Sequence, residues 1–285
     1  MLSRILILCT EVTPELYQAY SDKLLQSGPT GPTGGPTGGP TGPTHSVKLV
    51  LISDTEPSQA VRDMERRSKE NPSTHLGGKS IRVIHINNDR AIRDGFWGAT
   101  SFLKCCAWDK ALRYLVKKSR NRGEVKYQYT WILEDDVYLS SKIGLSQLVE
   151  DHLSVRSDLI YPKWVKHMDR DAWSHWDRAA LLSESWQGSI AASLNMICRL
   201  SDRLVHEIAK VQAKLGRLIF HEVLFASIAM HCHFTMSRID SKYQGYVTPG
   251  HSKDCTVYDG GSIGKAEEEG MLLCHPYKQW WLHEN

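Results

Sequence analysis

The strongest constraint in this chain is a set of short apolar runs that do not alternate with polar residues. Residues 4–10 (RILILCT), 48–53 (KLVLIS), 81–86 (IRVIHI) and 129–133 (YTWIL) each have the length of a strand and are rich in Ile, Leu and Val. A strand with one wet face alternates apolar and polar residues, whereas one covered on both faces reads as a nearly continuous apolar run. Helix-compatible stretches fall between the runs, at residues 14–26, 58–69 and 100–118. In the last of these Phe102, Cys105, Cys106, Trp108, Ala111, Leu112 and Leu115 recur at three- and four-residue spacing. Strands alternating with helices predict an α/β fold with a mainly parallel sheet flanked by helices. A helix over 143–153 and a strand over 158–162 complete an expected sheet domain at residues 1–162.

Beyond that boundary the pattern changes. Residues 163–186 mix Trp164, Trp173, Trp176 and Trp186 with Asp, Arg and His and show little periodicity. Periodic helices are expected at 201–215 and 221–231, followed by a Gly-rich polar stretch ending in HPYKQWWLHEN. Residues 163–285 are therefore expected to form a smaller lobe beside the sheet domain. One internal tract stands apart: residues 28–44 hold five of the 11 prolines, in Gly-Pro-Thr units whose spacing slips between three and four. Collagen tolerates no such slippage, and Gly and Pro deny the tract a core, so it is expected to be a disordered insertion between the first two strands.

Charge and cysteine usage narrow the function. Thirty-five basic residues against 32 acidic ones leave a net charge of +3, with no polybasic segment of the kind that marks a nucleic-acid binder. The seven cysteines are scattered and odd in number; Cys9, Cys105 and Cys106 read as small buried hydrophobes, while Cys255 and Cys274 could pair in an oxidising compartment. No stretch reaches about 18 apolar residues, so no membrane span is expected. The run at residues 5–9 is too short for a signal peptide. The chain as written reads as cytoplasmic, or luminal if an upstream anchor is missing. Gly-X-X-X-X-Gly-Lys, and Gly-X-Gly-X-X-Gly after a strand, are absent, against a P-loop nucleotidase and a dinucleotide oxidoreductase. His231-Cys232-His233 has no second ligand pair to make a closed zinc site.

The chemistry concentrates in YTWILEDDVYLS, where an apolar strand runs into Glu134, Asp135 and Asp136. Ligands bind at the carboxyl ends of parallel strands, and three adjacent carboxylates repel one another unless a cation sits among them. Hard oxygen donors suit Mn²⁺ or Mg²⁺, which also bridge nucleotide phosphates. The competing reading is a solvated acidic turn or a helix start capped by carboxylates.

A strand ending in such a triplet resembles the Asp-X-Asp motif of nucleotide-sugar glycosyltransferases of the GT-A fold, a Rossmann-like architecture. The resemblance implies that Asp136 ligates the metal while Glu134 and Asp135 contact the sugar nucleotide. Glu134 departs from the motif by one methylene. The same resemblance implies a late metal ligand at His275 and a diphosphate contact at Lys278, although His275 also reads as a loop histidine beside a proline. It further implies acceptor contacts at Trp186 and Gly188, and a general base at Glu222. Donor contacts are expected beyond the first two strands, at Thr10, Glu11 and Asp54. Glu222 also reads as a helix cap, and Asp54 as a helix start. Asp89, Arg90 and Arg93, after the third strand, could meet phosphates or form a solvated loop. The implied activity is transfer of a sugar from a nucleotide-sugar donor, a UDP-sugar, to a carbohydrate, protein or lipid hydroxyl, with inversion. A metal-dependent phosphohydrolase, a glycoside hydrolase and a non-catalytic sugar- or nucleotide-binding protein are the alternatives.

Overall fold

Each of the four apolar runs is a strand: β1 (Leu2–Cys9), β2 (Ser46–Ser53), β3 (Ser80–His85) and β4 (Tyr129–Glu134). The computed structural model describes residues 2–26, 46–70, 80–100, 103–120, 127–140, 143–165, 175–182, 184–240, 243 and 273–274. The tract at 28–44 lies outside them.

Short strands β5 (Tyr138–Leu139), β6 (Leu159–Tyr161), β7 (Lys163–Val165), β8 (Ala192–Leu194), β9 (Ile197–Ser201), β10 (Met236–Arg238) and β11 (Leu273–Cys274) complete the set. Seven strands form one sheet in the order β10-β6-β9-β4-β1-β2-β3. β1 to β4 run parallel, and β9 alone is antiparallel to its neighbours β4 and β6. The sheet is therefore mainly parallel, as the runs predict. Two of its strands, β9 and β10, come from beyond residue 162, so the sheet itself crosses the expected domain boundary.

Helices cover both faces. On one side lie α1 (Pro14–Leu25), α2 (Gln59–Glu70) and α5 (Leu145–Asp151). On the other lie α4 (Ala107–Arg120), α6 (Asp202–Leu215) and α7 (His221–His231). A short helix, α3 (Asn88–Arg93), follows β3. Side-chain parity assigns each face: Ile5, Ile7 and Cys9 pack toward α1, while Leu6 and Leu8 pack toward α4 and α7. Fully burying each such aliphatic chain contributes about 1.5–3 kcal/mol, so a polar residue anywhere from Ile5 to Leu8 would be costly. Among the described residues no helix is long and apolar enough to cross a membrane.

One expected helix is shorter than its periodicity suggests. Residues 100 and 103–106 are not helical, and α4 begins at Ala107. The cause is Asp109, whose carboxylate accepts from Cys106 N–H at 2.9 Å and from Ala99 N–H at 2.8 Å. An acid at the third helical position that reaches back to the cap fixes the helix start and turns the preceding chain away. At its other side α6 ends on Gly216, at φ 67°, a left-handed position that favours glycine.

Asp158 ties the far side of the sheet together. It is 2% exposed and accepts hydrogen bonds from Ser201 Oγ (2.7 Å), Thr235 N–H (3.0 Å) and Thr235 Oγ1 (2.9 Å), and pairs with Arg203. Burial alone would raise its pKa, but Arg203 and these donors outweigh burial and hold it at about 2. Because the folded value lies below the ordinary carboxylate value, its stabilisation is complete above about pH 4 and is lost as pH falls through about 2. Arg203 is 60% exposed, so solvent screens part of its share. Asp158→Asn should lower stability in urea by about 2 kcal/mol at pH 7, with a deficit that shrinks below about pH 4.

Candidate active site

Strand register sets the site. His85 lies level with Ser53, Ser53 with Cys9, and Leu8 with Glu134, so β1 to β4 end along one row. The first residues past that row are no longer held between helix layers and can be polar. Asp54 N–H donates to Cys9 carbonyl at 2.9 Å, and Asp135 N–H to Leu8 carbonyl at 3.0 Å, so the backbone continues the ladder one step beyond the strands.

The acidic triplet leaves β4 in a turn closed by Val137 N–H on Glu134 carbonyl at 3.1 Å. Glu134 is held by the indole N–H of Trp108, which donates to its Oε1 at 2.8 Å. Asp135 accepts at Oδ2 from Thr10 N–H at 3.2 Å, which joins two of the expected donor residues directly. Asp136 is buried, while Glu134 and Asp135 are half-buried. The Cys9 thiol is pushed far up by burial first and then by the charges of Asp135 and Asp54, which puts both acids within its reach.

Glu222 comes to the same place from α7. It occupies the first turn, where the helix dipole favours a carboxylate, and its Oε1 accepts from Asn195 N–H at 3.3 Å. Asn195 is fixed in turn: its Nδ2 donates to His221 carbonyl at 3.2 Å and its Oδ1 accepts from Ser193 Oγ at 2.8 Å. The fully buried Cys198 thiol of β9 is pushed up by burial and then by both Glu134 and Glu222. The two glutamates therefore share one region of low solvation.

A brace that the sequence reading missed connects them. The His221 ring stacks on Trp108 with centroids 3.9 Å apart and an interplanar angle of 16°. Its Nδ1 lies 2.9 Å from Ala99 carbonyl, which only accepts, so Nδ1 carries the proton. Ala99 carbonyl also accepts from His221 N–H at 2.9 Å, and Leu218 N–H donates to Trp97 carbonyl at 3.0 Å. Between them Gly98 takes φ +89°, and a Cβ there would lie 3.1 Å from Leu218 carbonyl. The sequence carries no distinct signal for this brace, because Trp108 falls within the apolar periodicity of α4 and His221 is a lone histidine.

Other expected site residues are placed differently. The carboxylate of Asp54 faces Lys110, which is fully buried; Lys110 Nζ lies 3.0 Å from Asp54 Oδ1 and donates to Asp54 carbonyl at 2.8 Å. Asp54 thus anchors α4 to the end of β2. Glu11 and Thr10 are exposed at the row's rim. Trp186 stacks on His231 at 4.0 Å and 11°, at the end of α7 opposite Glu222, about 14 Å along the helix axis. Gly188 is exposed on the 3₁₀ helix Glu184–Ser189 with open space around its Cα. Asp89 and Arg90 belong to α3 rather than to a loop. His275, Lys278, Trp173, Trp280 and Trp281 lie outside the described residues. Among the described residues no three His, Cys, Asp or Glu side chains form a group that could hold a metal ion.

No family model matches the chain, and no curated protein matches it. Among solved structures it is similar to an active-site mutant of LgtC, at 9% identity and a TM-score of 0.47, covering 97% of this chain and 87% of that one. It is similar to mouse xyloside xylosyltransferase 1 in its apo form, at 13% identity and a TM-score of 0.45, covering 96% of each chain. It is also similar to galactosyltransferase LgtC in complex with donor and acceptor sugar analogues, at 10% identity and a TM-score of 0.45, covering 97% of this chain and 87% of that one. At this degree of likeness the chain's own residues carry the functional reading.

Burial holds the His221 pKa down at about 4, against which the Glu134 charge and the Ala99 bond act more weakly. An unfolded chain takes up the proton near pH 6.5, so His221 costs stability as pH falls from about 6.5 to about 4. Asp109, raised by burial to about 6 despite its N–H donors, acts in the opposite sense but does so with or without His221. His221→Phe keeps the stacking and loses the Ala99 bond. It should cost about 1–2 kcal/mol at pH 7.5 in urea unfolding, and that cost should shrink steadily toward pH 4.5.

Proposed function

We propose that the chain is a metal-dependent glycosyltransferase of the GT-A kind that its sequence resembles. It moves a sugar from a nucleotide sugar, a UDP-sugar, to a hydroxyl acceptor with inversion. The observation that supports this reading is the acidic triplet at the end of β4, whose Glu134 lies under the indole N–H of Trp108, with Trp108 stacked on His221, the chain neighbour of Glu222. A solvated acidic turn would not place its first acid under an indole N–H, nor bury its last.

The donor set fits a hard divalent cation. The triplet offers hard carboxylate oxygens, and one oxygen each of Glu134 and Asp135 is already fixed by a protein N–H. Mn²⁺ or Mg²⁺ arriving with a diphosphate needs only one or two protein carboxylates, so a closed protein cage is not required. Asp136 would hold it, with His275 as a second ligand. The metal, when bound, supplies charge neutralisation for the leaving diphosphate.

The remaining roles belong to the protein. Thr10, Glu11, Asp54 and the triplet line the donor end; Lys278 is assigned to the diphosphate. Glu222 takes the acceptor hydroxyl proton as its oxygen bonds to the anomeric carbon and the bond to the diphosphate breaks. The Asn195 N–H orients one oxygen of Glu222, which sits in the first turn of α7. Trp186, with Gly188 beside it, would receive the acceptor farther along α7.

Two measurements test the reading. Mn²⁺ with UDP-sugars should raise the melting temperature of the wild-type chain and leave Asp136→Asn unchanged; equal stabilisation of both would remove the metal role. Glu222→Gln should lower kcat by about 10²–10⁴-fold with donor affinity within about twofold. A product of retained configuration would take the base role from Glu222, and sugar release at the same rate with and without acceptor would point to a hydrolase.

A further inference from the structure

β3 is the edge of the sheet and, among the described residues, pairs only with β2. Beside it α3 and the second half of α4 leave a cleft of ≈ 480 Å³. Its lining brings together Arg82, Arg90, Arg113, Lys117 and Lys118, with His85 at the strand end and no carboxylate among the described lining residues. Part of this charge has an ordinary explanation. Cations near a helix C-terminus complement the macrodipole, and charged side chains guard an edge strand. Neither accounts for Arg113, which is only 10% exposed and gives its guanidinium to Asp94, with Nε at 2.8 Å. Lys117 reaches the same carboxylate at 3.7 Å. Partial burial pushes the Asp94 pKa up, yet Arg113, Lys117 and Arg90 together hold it below the ordinary range. One carboxylate thus serves three cations, and Arg82 adds to the excess.

We propose that this cleft binds a small ligand carrying two or more phosphate or sulfate groups, at a site separate from the strand ends. Its volume lies within the range of about 300–1,000 Å³ typical of small-molecule clefts. Arg82 comes from the strand and Lys117 from the helix, so a ligand with more than one anionic group can engage both elements. Guanidinium forks pair with oxyanions in two parallel hydrogen bonds. Arg113 already gives two donors, Nε and a terminal nitrogen, to one oxygen of Asp94. β1 and β2 stand between β3 and β4, which separates the cleft from the acidic triplet by about 14 Å of sheet.

Calorimetric titration of the full chain with tripolyphosphate and with sucrose octasulfate tests the site and tells the two anion sources apart. Arg82→Glu with Lys117→Glu should weaken binding by about tenfold or more, and the milder Arg82→Ala with Arg90→Ala should weaken it in the same direction. Asp136→Asn should leave it within about twofold of wild type, which keeps this result independent of the transferase reading. Retention of affinity in both double variants, loss of affinity in Asp136→Asn, or tighter binding of a polyglutamate peptide than of either probe would each overturn the proposal.

Discussion

Covering of the central strands on both faces is the constraint from which the rest of the molecule follows. β1 sends Ile5 and Ile7 to one helix layer and Leu6 and Leu8 to the other, so the second half of the strand is apolar on both faces until it leaves the sandwich. Parallel register then brings the exits of β1 to β4 into one row. The acids of β4 are placed at that row because it is the first place along the strand where carboxylates can keep water or a ligand. Position in the fold and chemistry are therefore the same fact seen from two sides.

What holds the acids in place is a set of imperfect burials that compensate one another. A neutral histidine lies under an indole, a buried aspartate takes two backbone N–H groups at the start of α4, and a buried lysine spans to Asp54. Each would be unfavourable alone, since an unpaired buried polar group costs about 1–3 kcal/mol. Together they pair backbone groups of Ala99 and Cys106 and tie the start of α4 to the start of α7. A site rigid enough to fix Glu134 and Glu222 requires such a second layer of partners.

The sequence made the sheet legible because apolar runs report two-sided burial without help from distant residues. β1 to β4 and α7 fall where periodicity puts them, with ends shifted by one or two residues. Residues 100–106 misled because apolar spacing continues there, while the deciding contact is the reach of Asp109 back across the cap. β9 has no strand signature of its own; residues 197–201 become a strand because β4 and β6 flank them. The acidic triplet stood out through its apolar setting. Trp108, Asn195 and His221 did not, since each is a lone residue whose role exists only once α4, α7 and β9 are assembled. Asp54 shows the reverse case, an acid at the right strand end whose carboxylate is engaged by a lysine from another element.

The strand order carries a consequence for how the chain is made. β9 fits between β4 and β6, yet it follows both in the chain. A ribosome delivering the protein from its N-terminus releases Tyr129–Glu134 well before Ile197–Ser201 exists to cover its flank. At ordinary translation rates that interval is roughly 3–13 s. Through it the nascent chain presents an open apolar edge of Trp131, Ile132 and Leu133, a template for pairing with any neighbouring strand. Efficient production of this protein therefore depends on what shields that edge during synthesis as much as on the stability of the finished sheet.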